Sequence, residues 1–178
     1  MKGHVVLVGL SGTGKTSVGK RIARVLECAF VDADDEIEER TGRTVRGIFA
    51  SDGEEAFREI EAKVMADVLA APEPSVIAAG GGAVVTESTR RLLQEVDVFV
   101  VWLTATPAFL ASRISQKPHR PLLDDDPIAT LTRLSIERSG WYAEVADAVF
   151  DVQPDHRAAP KAEAKDNIAR TIAGMVPA

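Results

Sequence analysis

The sequence predicts an α/β fold: a mainly parallel sheet flanked by helices. Two observations predict it. Five short apolar runs, at 5–8, 29–31, 76–79, 98–103 and 148–152, alternate with longer stretches whose apolar residues recur at helical spacing. The runs are apolar throughout, as strands covered on both faces are, and such strands separated by helices make a parallel sheet. The chain of 178 residues, 46% hydrophobic and 27% charged, is large enough for one domain with a real core.

The first strand, 5–8, runs into Gly9-Leu10-Ser11-Gly12-Thr13-Gly14-Lys15-Thr16, which matches G-x-x-x-x-G-K-[ST]. A helix follows, with Val18, Ile22, Val25 and Leu26 on one face. Glycines let the backbone curl so that its N–H groups converge on phosphate oxygens, and the helix adds its positive end. Lys15 then reaches the β- and γ-phosphates, and the Thr16 hydroxyl can ligate Mg²⁺. With a strand before it and an amphipathic helix after it, the loop predicts a bound nucleoside triphosphate.

The second strand ends in "FVDADDEIEE". On extended chain, Asp32 and Asp34 point the same way, towards the ligand crevice of such a sheet. Carboxylates there can hold a metal's water shell or accept a hydrogen bond from an acceptor hydroxyl; alternatively they are only helix N-terminal acids. Asp35, Glu36, Glu38 and Glu39 read as a solvated helix face. In the next helix Phe57, Ile60, Val64, Val68 and Leu69 share a face. Arg58 and Glu61, three apart, read by themselves as a surface pair. The functional alternative has Glu61 orienting Arg58 onto an anionic substrate. The third strand closes on Gly80-Gly81-Gly82, which suits a ligand close to the backbone, or else a bulged turn.

Thr106-Pro107 and Asp126-Pro127 each read as an N-cap with proline in the first helical turn. Between them "SQKPHRPLLDDDP", 115–127, is polar and proline-punctuated, a long excursion suited to a lid. Arg120 within it either neutralises a transferring phosphoryl group or is an exposed loop arginine. Arg138 reads as lying at the end of the following helix, where compensation of the helix dipole would explain it. A polar tail after Pro154 leads to a final helix ending near Met175. His4, His119 and His156 lack metal-ligand spacing and read as bystanders; Cys28, the single cysteine, reads as a buried inert thiol.

A net charge of −6 disfavours a nucleic-acid surface. No apolar run is long enough to span a bilayer, and the N-terminus lacks a signal-peptide pattern, so a cytoplasmic protein is expected.

In this order and at these spacings the motifs resemble the shikimate kinase family, within the nucleoside monophosphate kinase-like P-loop group. The match takes in the loop at 9–16, D-x-D at 32 and 34, and "TGRTVRGIFASDGEEAFREIE". It continues through "GGGAV" at 80–84, "RPLL" at 120–123, and Arg138 with Tyr142 and "VAD" following, covering about residues 3–152. The resemblance implies a single P-loop NTPase-type domain over 1–178, with a five-stranded parallel sheet of order 2-3-1-4-5. A mobile lid at about 115–127 and a C-terminal helix at about 160–175 complete it. It further implies transfer of the ATP γ-phosphate, with Mg²⁺, to the 3-hydroxyl of shikimate, in the pathway to chorismate and aromatic amino acids. A monomer without nucleic-acid or membrane partners is expected.

By the same resemblance, Asp34 would bind the acceptor hydroxyl, with a base role open, and Asp32 would orient the Mg²⁺ shell with Thr16. Arg58 and Arg138 would clamp the shikimate carboxylate, braced by Glu61, with Gly80, Gly81 and Gly82 lining the substrate and Phe49 and Phe57 walling its ring. Gly12, Thr13, Gly14, Lys15, Thr16 and Ser17 would hold the phosphates. Arg120 would cover them from the lid, and Arg113 would lie along the adenine. The chain departs from the family at Gly140, commonly proline, and in a loosely matched adenine loop, "DVQPDHRAAP", where Arg157 and Pro160 are candidates. Thr16 replaces the frequent serine. Another sugar-acid kinase, such as a gluconate kinase, and a catalytically silent ATP-binding module are the alternatives.

Overall fold

The computed structural model describes residues 3–95, 97–114, 126–153 and 161–177. The strands β1 (His4–Val8), β2 (Ala29–Asp32), β3 (Ser75–Ala78), β4 (Val98–Thr104) and β5 (Ala148–Asp151) form one parallel sheet. Its order is β2-β3-β1-β4-β5, as expected, and every strand lies within one residue of its expected bounds. Helices α1 (Lys15–Leu26), α2 (Ala33–Thr41), α3 (Val45–Leu69), α4 (Glu87–Glu95), α5 (Pro107–Ile114), α6 (Pro127–Val145) and α7 (Lys161–Met175) surround it.

The central strand shows why its sequence is apolar at every position from Val5 to Val8. Successive side chains of a strand point to opposite faces. Val5 and Leu7 join Val18, Ile22, Ala169 and Ile172 in a core beneath α1 and α7. Val6 and Val8 join Val64, Met65, Leu131 and Leu134 in the core beneath α3 and α6. At the entry to β5, Asp147 accepts the Val100 N–H in its carboxylate at 2.7 Å and donates its own N–H to the Val100 carbonyl at 2.9 Å.

Three helices differ in detail from expectation. The buried face of α1 comprises Lys15, Val18, Gly19, Ile22 and Ala23, which leaves Val25 at its edge and exposed. Helix α3 is interrupted at Gly53, whose φ of 85° and ψ of 176° are non-helical. Arg138 lies well inside α6, not at its end, so dipole compensation does not account for it. Its helix buries Leu131, Leu134, Arg138, Tyr142 and Val145 as one stripe and continues unbroken through Gly140. The Asp126 carboxylate accepts the Ala129 N–H at 3.0 Å, the expected N-cap, with Pro127 following.

Of the lid expected at about 115–127, residues 115–125, Arg120 among them, lie outside the described residues, while Asp126 and Pro127 already cap and begin α6. Arg157 and Pro160 of the adenine loop lie outside the described residues too. His4 is a structural residue. Its Nε2 donates to the Ala71 carbonyl at 3.1 Å, which leaves Nδ1 to accept from Ser75 at 2.9 Å. Cys28 is half-buried, and burial raises its thiol pKa, further from a reactive thiolate. Among the described residues no helix is long and apolar enough to cross a membrane.

Candidate active site

The loop between β1 and α1 turns through positive φ at Gly9, Gly12 and Gly14 (137°, 89° and 89°), conformations that side-chain-bearing residues rarely adopt. Thr13 is buried, and its hydroxyl donates to the Leu10 carbonyl at 2.9 Å, so this side chain braces the loop from within. Lys15, also buried, donates to the carbonyls of Gly9 at 2.7 Å and Leu10 at 3.2 Å. The first amides of α1 have no partner inside the helix and form an anion-binding end. Arg113, on α5, lies against the same loop, with Nη2 3.3 Å from where a Gly14 Cβ would sit and its guanidinium over Phe109. Burial lowers its pKa.

Beyond the loop the two aspartates separate. The chain turns helical straight after Asp32, so the extended-strand argument for parallel carboxylates fails; Asp34 stands in the first turn of α2. Asp32 caps that helix, accepting the Asp34 N–H at 3.2 Å with one oxygen and the Thr16 hydroxyl at 2.7 Å with the other. Asp34 points elsewhere, its Oδ1 3.1 Å from where a Gly80 Cβ would sit. One carboxylate thus faces the phosphate loop and the other the end of β3.

Arg58 and Glu61 are not a surface pair. Glu61 is 1% exposed and accepts from Arg58 at 2.6 Å, and Arg58 also donates to the exposed Glu54 at 3.0 Å. Glu61 falls on the stripe with Phe57, Val64, Met65 and Val68, which faces the core. Burial pushes the Glu61 carboxyl pKa up, against the pull of Arg58, and Asp34 adds to the rise. Burial alone would lower Arg58, but Glu61 and Glu54 outweigh it and hold the guanidinium charged. Phe49 and Phe57 pack in a tilted arrangement, 4.4 Å between ring centres and 33° between planes, with the Arg58 guanidinium over both. Phe57 is buried, so the more accessible aromatic wall is Phe49.

These side chains, and not a ligand alone, account for the first and last glycines of the run; a Cβ at Gly81 would meet only ordinary contacts. A Cβ at Gly80 would overlap Glu61 Oε1, and one at Gly82 would overlap the Arg58 guanidinium. The Gly81 carbonyl accepts from Arg138 Nη1 at 3.0 Å and from the Tyr142 hydroxyl at 2.6 Å. The sequence alone assigns Tyr142 no role, although its four-residue spacing from Arg138 puts both on one helix face. It stacks on Trp102 at 5.5 Å, and burial raises its pKa to about 12. Two guanidiniums therefore flank Gly81 and Gly82. The Nε–H groups of both Arg58 and Arg138 are buried without a hydrogen-bond partner among the described residues. A buried unmet donor costs about 1–3 kcal/mol, which an anionic ligand would recover.

A phosphate loop opposite a carboxylate and two half-satisfied arginines, at the C-terminal edge of this sheet, defines a P-loop phosphotransferase for a small anionic acceptor. The chain belongs to the shikimate kinase family, whose model matches residues 11–173. It is 46% identical to a shikimate kinase of Caulobacter vibrioides over 159 residues, 89% of this chain and 78% of that one. It is also similar to the solved shikimate kinase from Acinetobacter baumannii in complex with shikimate. There the TM-score is 0.87 and the identity 32%, over 97% of this chain and 91% of that one. A gluconokinase from Sinorhizobium meliloti, at 22% identity and a TM-score of 0.56, shares the fold alone.

Proposed function

We propose the residue roles by which this chain performs its family's reaction, transfer of the ATP γ-phosphate to the 3-hydroxyl of shikimate. The shikimate carboxylate binds between Arg58 and Arg138. What supports this reading most is the pair of buried, unmet Nε–H donors on those two side chains. Glu54 is the exposed one of Arg58's two carboxylate partners, and the one an incoming carboxylate replaces. Phe49 walls the ring. Asp34 accepts the hydrogen of the 3-hydroxyl as its oxygen bonds to the γ-phosphorus, the bond to the β-phosphate oxygen breaks, and ADP leaves. Lys15 exchanges its loop carbonyls for phosphate oxygens, and Arg120 covers the transferring group.

Thr16 and Asp32 supply oxygen donors only, side by side at 2.7 Å, the chemistry that suits Mg²⁺. No group of three or more His, Cys, Asp or Glu that could hold a metal gathers among the described residues, and Mg²⁺ in nucleotide sites draws mainly on phosphates and water. When bound, the ion neutralises charge on the β- and γ-phosphates. The protein acts as a cytoplasmic monomer, without nucleic-acid or membrane partners.

The test is ADP release from ATP and Mg²⁺ with and without shikimate, and with gluconate in its place. Shikimate-dependent release that stops on chelation of Mg²⁺ is expected. Equal release with gluconate, or none with shikimate, overturns the reading.

A further inference from the structure

Ser17 lies in the first turn of α1, beside the loop lysine, and its hydroxyl is held from two directions. Arg21, one turn on, donates from Nη1 to both the Ser17 hydroxyl and the Ser17 carbonyl at 2.9 Å. Lys165, from the distant helix α7, donates from Nζ to the same hydroxyl at 3.0 Å. Asp166, its neighbour, fixes Arg21 through Nε at 2.7 Å. A hydroxyl has two lone pairs and one hydrogen. With two cationic donors on the oxygen, what remains for it to do is donate, and those donors polarise it towards donation.

We propose that Lys165 and Arg21 are positioning residues for the nucleotide: they orient the Ser17 hydroxyl as a donor to a nucleotide phosphate oxygen. Helix α7 is thereby part of the nucleotide site without touching the ligand. This rests on the nucleotide half of the reading above and not on the identity of the acceptor. ADP affinity is therefore measured without shikimate, and a failed acceptor assignment leaves the test intact.

The measurement is ADP binding by titration calorimetry, with the KM for ATP, for Lys165→Met, Lys165→Arg, Ser17→Ala and the double variant Ser17→Ala/Lys165→Met. Lys165→Met weakens ADP binding about tenfold, the scale of one charge-assisted hydrogen bond. It raises the KM for ATP in parallel, moves kcat by less, and leaves the KM for shikimate unchanged. Lys165→Arg restores most of the affinity. In the Ser17→Ala background the same substitution changes nothing further, because the group it acts through is gone. Lys165→Met binding ADP like the wild type overturns the proposal, and so does an equal loss with and without the Ser17 hydroxyl. If Lys165→Met lowers the melting temperature, Lys165→Arg, which keeps the docked charge, decides: failure to rescue ADP affinity at wild-type stability counts against the proposal.

Discussion

Asp34 and the two site arginines should separate chemistry from binding. Asp34→Asn keeps a hydrogen-bonding group but cannot take the proton, so kcat should fall about 10²–10⁴-fold while the KM for shikimate changes little. Arg138→Ala should do the reverse, raising that KM by roughly 10–100-fold for the loss of a charge-assisted contact. Steady-state kinetics read both, and a loss confined to KM would make Asp34 a positioning group. Tyr142 carries a pH signature. Its hydroxyl holds its proton to a pKa of about 12 in the folded chain, against about 10 when unfolded. The stability it adds is thus complete below about pH 10 and is lost as the pH rises through 12. Tyr142→Phe should cost about 1–2 kcal/mol at pH 8. In urea unfolding its gap from the wild type should narrow at pH 11; an unchanged gap would contradict a buried, donating hydroxyl. The burial of Glu61 was legible in principle, since it shares helical spacing with Phe57, Val64 and Val68. The need for glycine at 80 and 82 was not, because it arises from side chains about twenty residues away.

Among the elements, α3 holds the informative irregularity. Gly53 divides it into a segment carrying Phe49 and one carrying Phe57, Arg58 and Glu61, so the break sets how the aromatic wall meets the clamp. A Cβ at Gly53 would meet nothing within 4 Å, so the cost of Gly53→Ala is that of the backbone, about 1–3 kcal/mol. That substitution should lower the melting temperature and raise the KM for shikimate more than that for ATP. An alanine variant with both KM values unchanged would show that the bend plays no part in the site. The strands were readable because apolar residues fill the inner ones apart from their end positions His4, Ser75 and Thr104, and the N-cap at Asp126 because its chemistry is local. The break at Gly53 was not readable, since glycine inside a helical pattern is ordinarily tolerated. The turn at Asp32 misled for a related reason: a carboxylate two residues on belongs to a strand or to a helix according to where the cap falls.

For the whole molecule, ligand binding should report through stability. At a hundred times its Kd, ADP should add about 2.7 kcal/mol, visible as a rise in melting temperature. Lys15→Met should lose that rise and its turnover together, as it removes the side chain that reaches the phosphates. A variant that keeps most of its kcat would take Lys15 out of the transfer step. Strand existence was written in the apolar runs, but the order β2-β3-β1-β4-β5 came through family resemblance, because periodicity says nothing about which strands are neighbours. The sheet's lower layer also sets a timetable for biosynthesis. Ala169 and Ile172 of α7 close the layer begun by Val18, Ile22 and Leu103, and the Arg21–Asp166 contact spans 145 residues of sequence. At about 5–20 residues per second, a ribosome needs roughly 7–30 s to travel from α1 to α7. Until α7 emerges, the α1 side of this layer lacks Ala169 and Ile172, which leaves its apolar residues open to a chaperone.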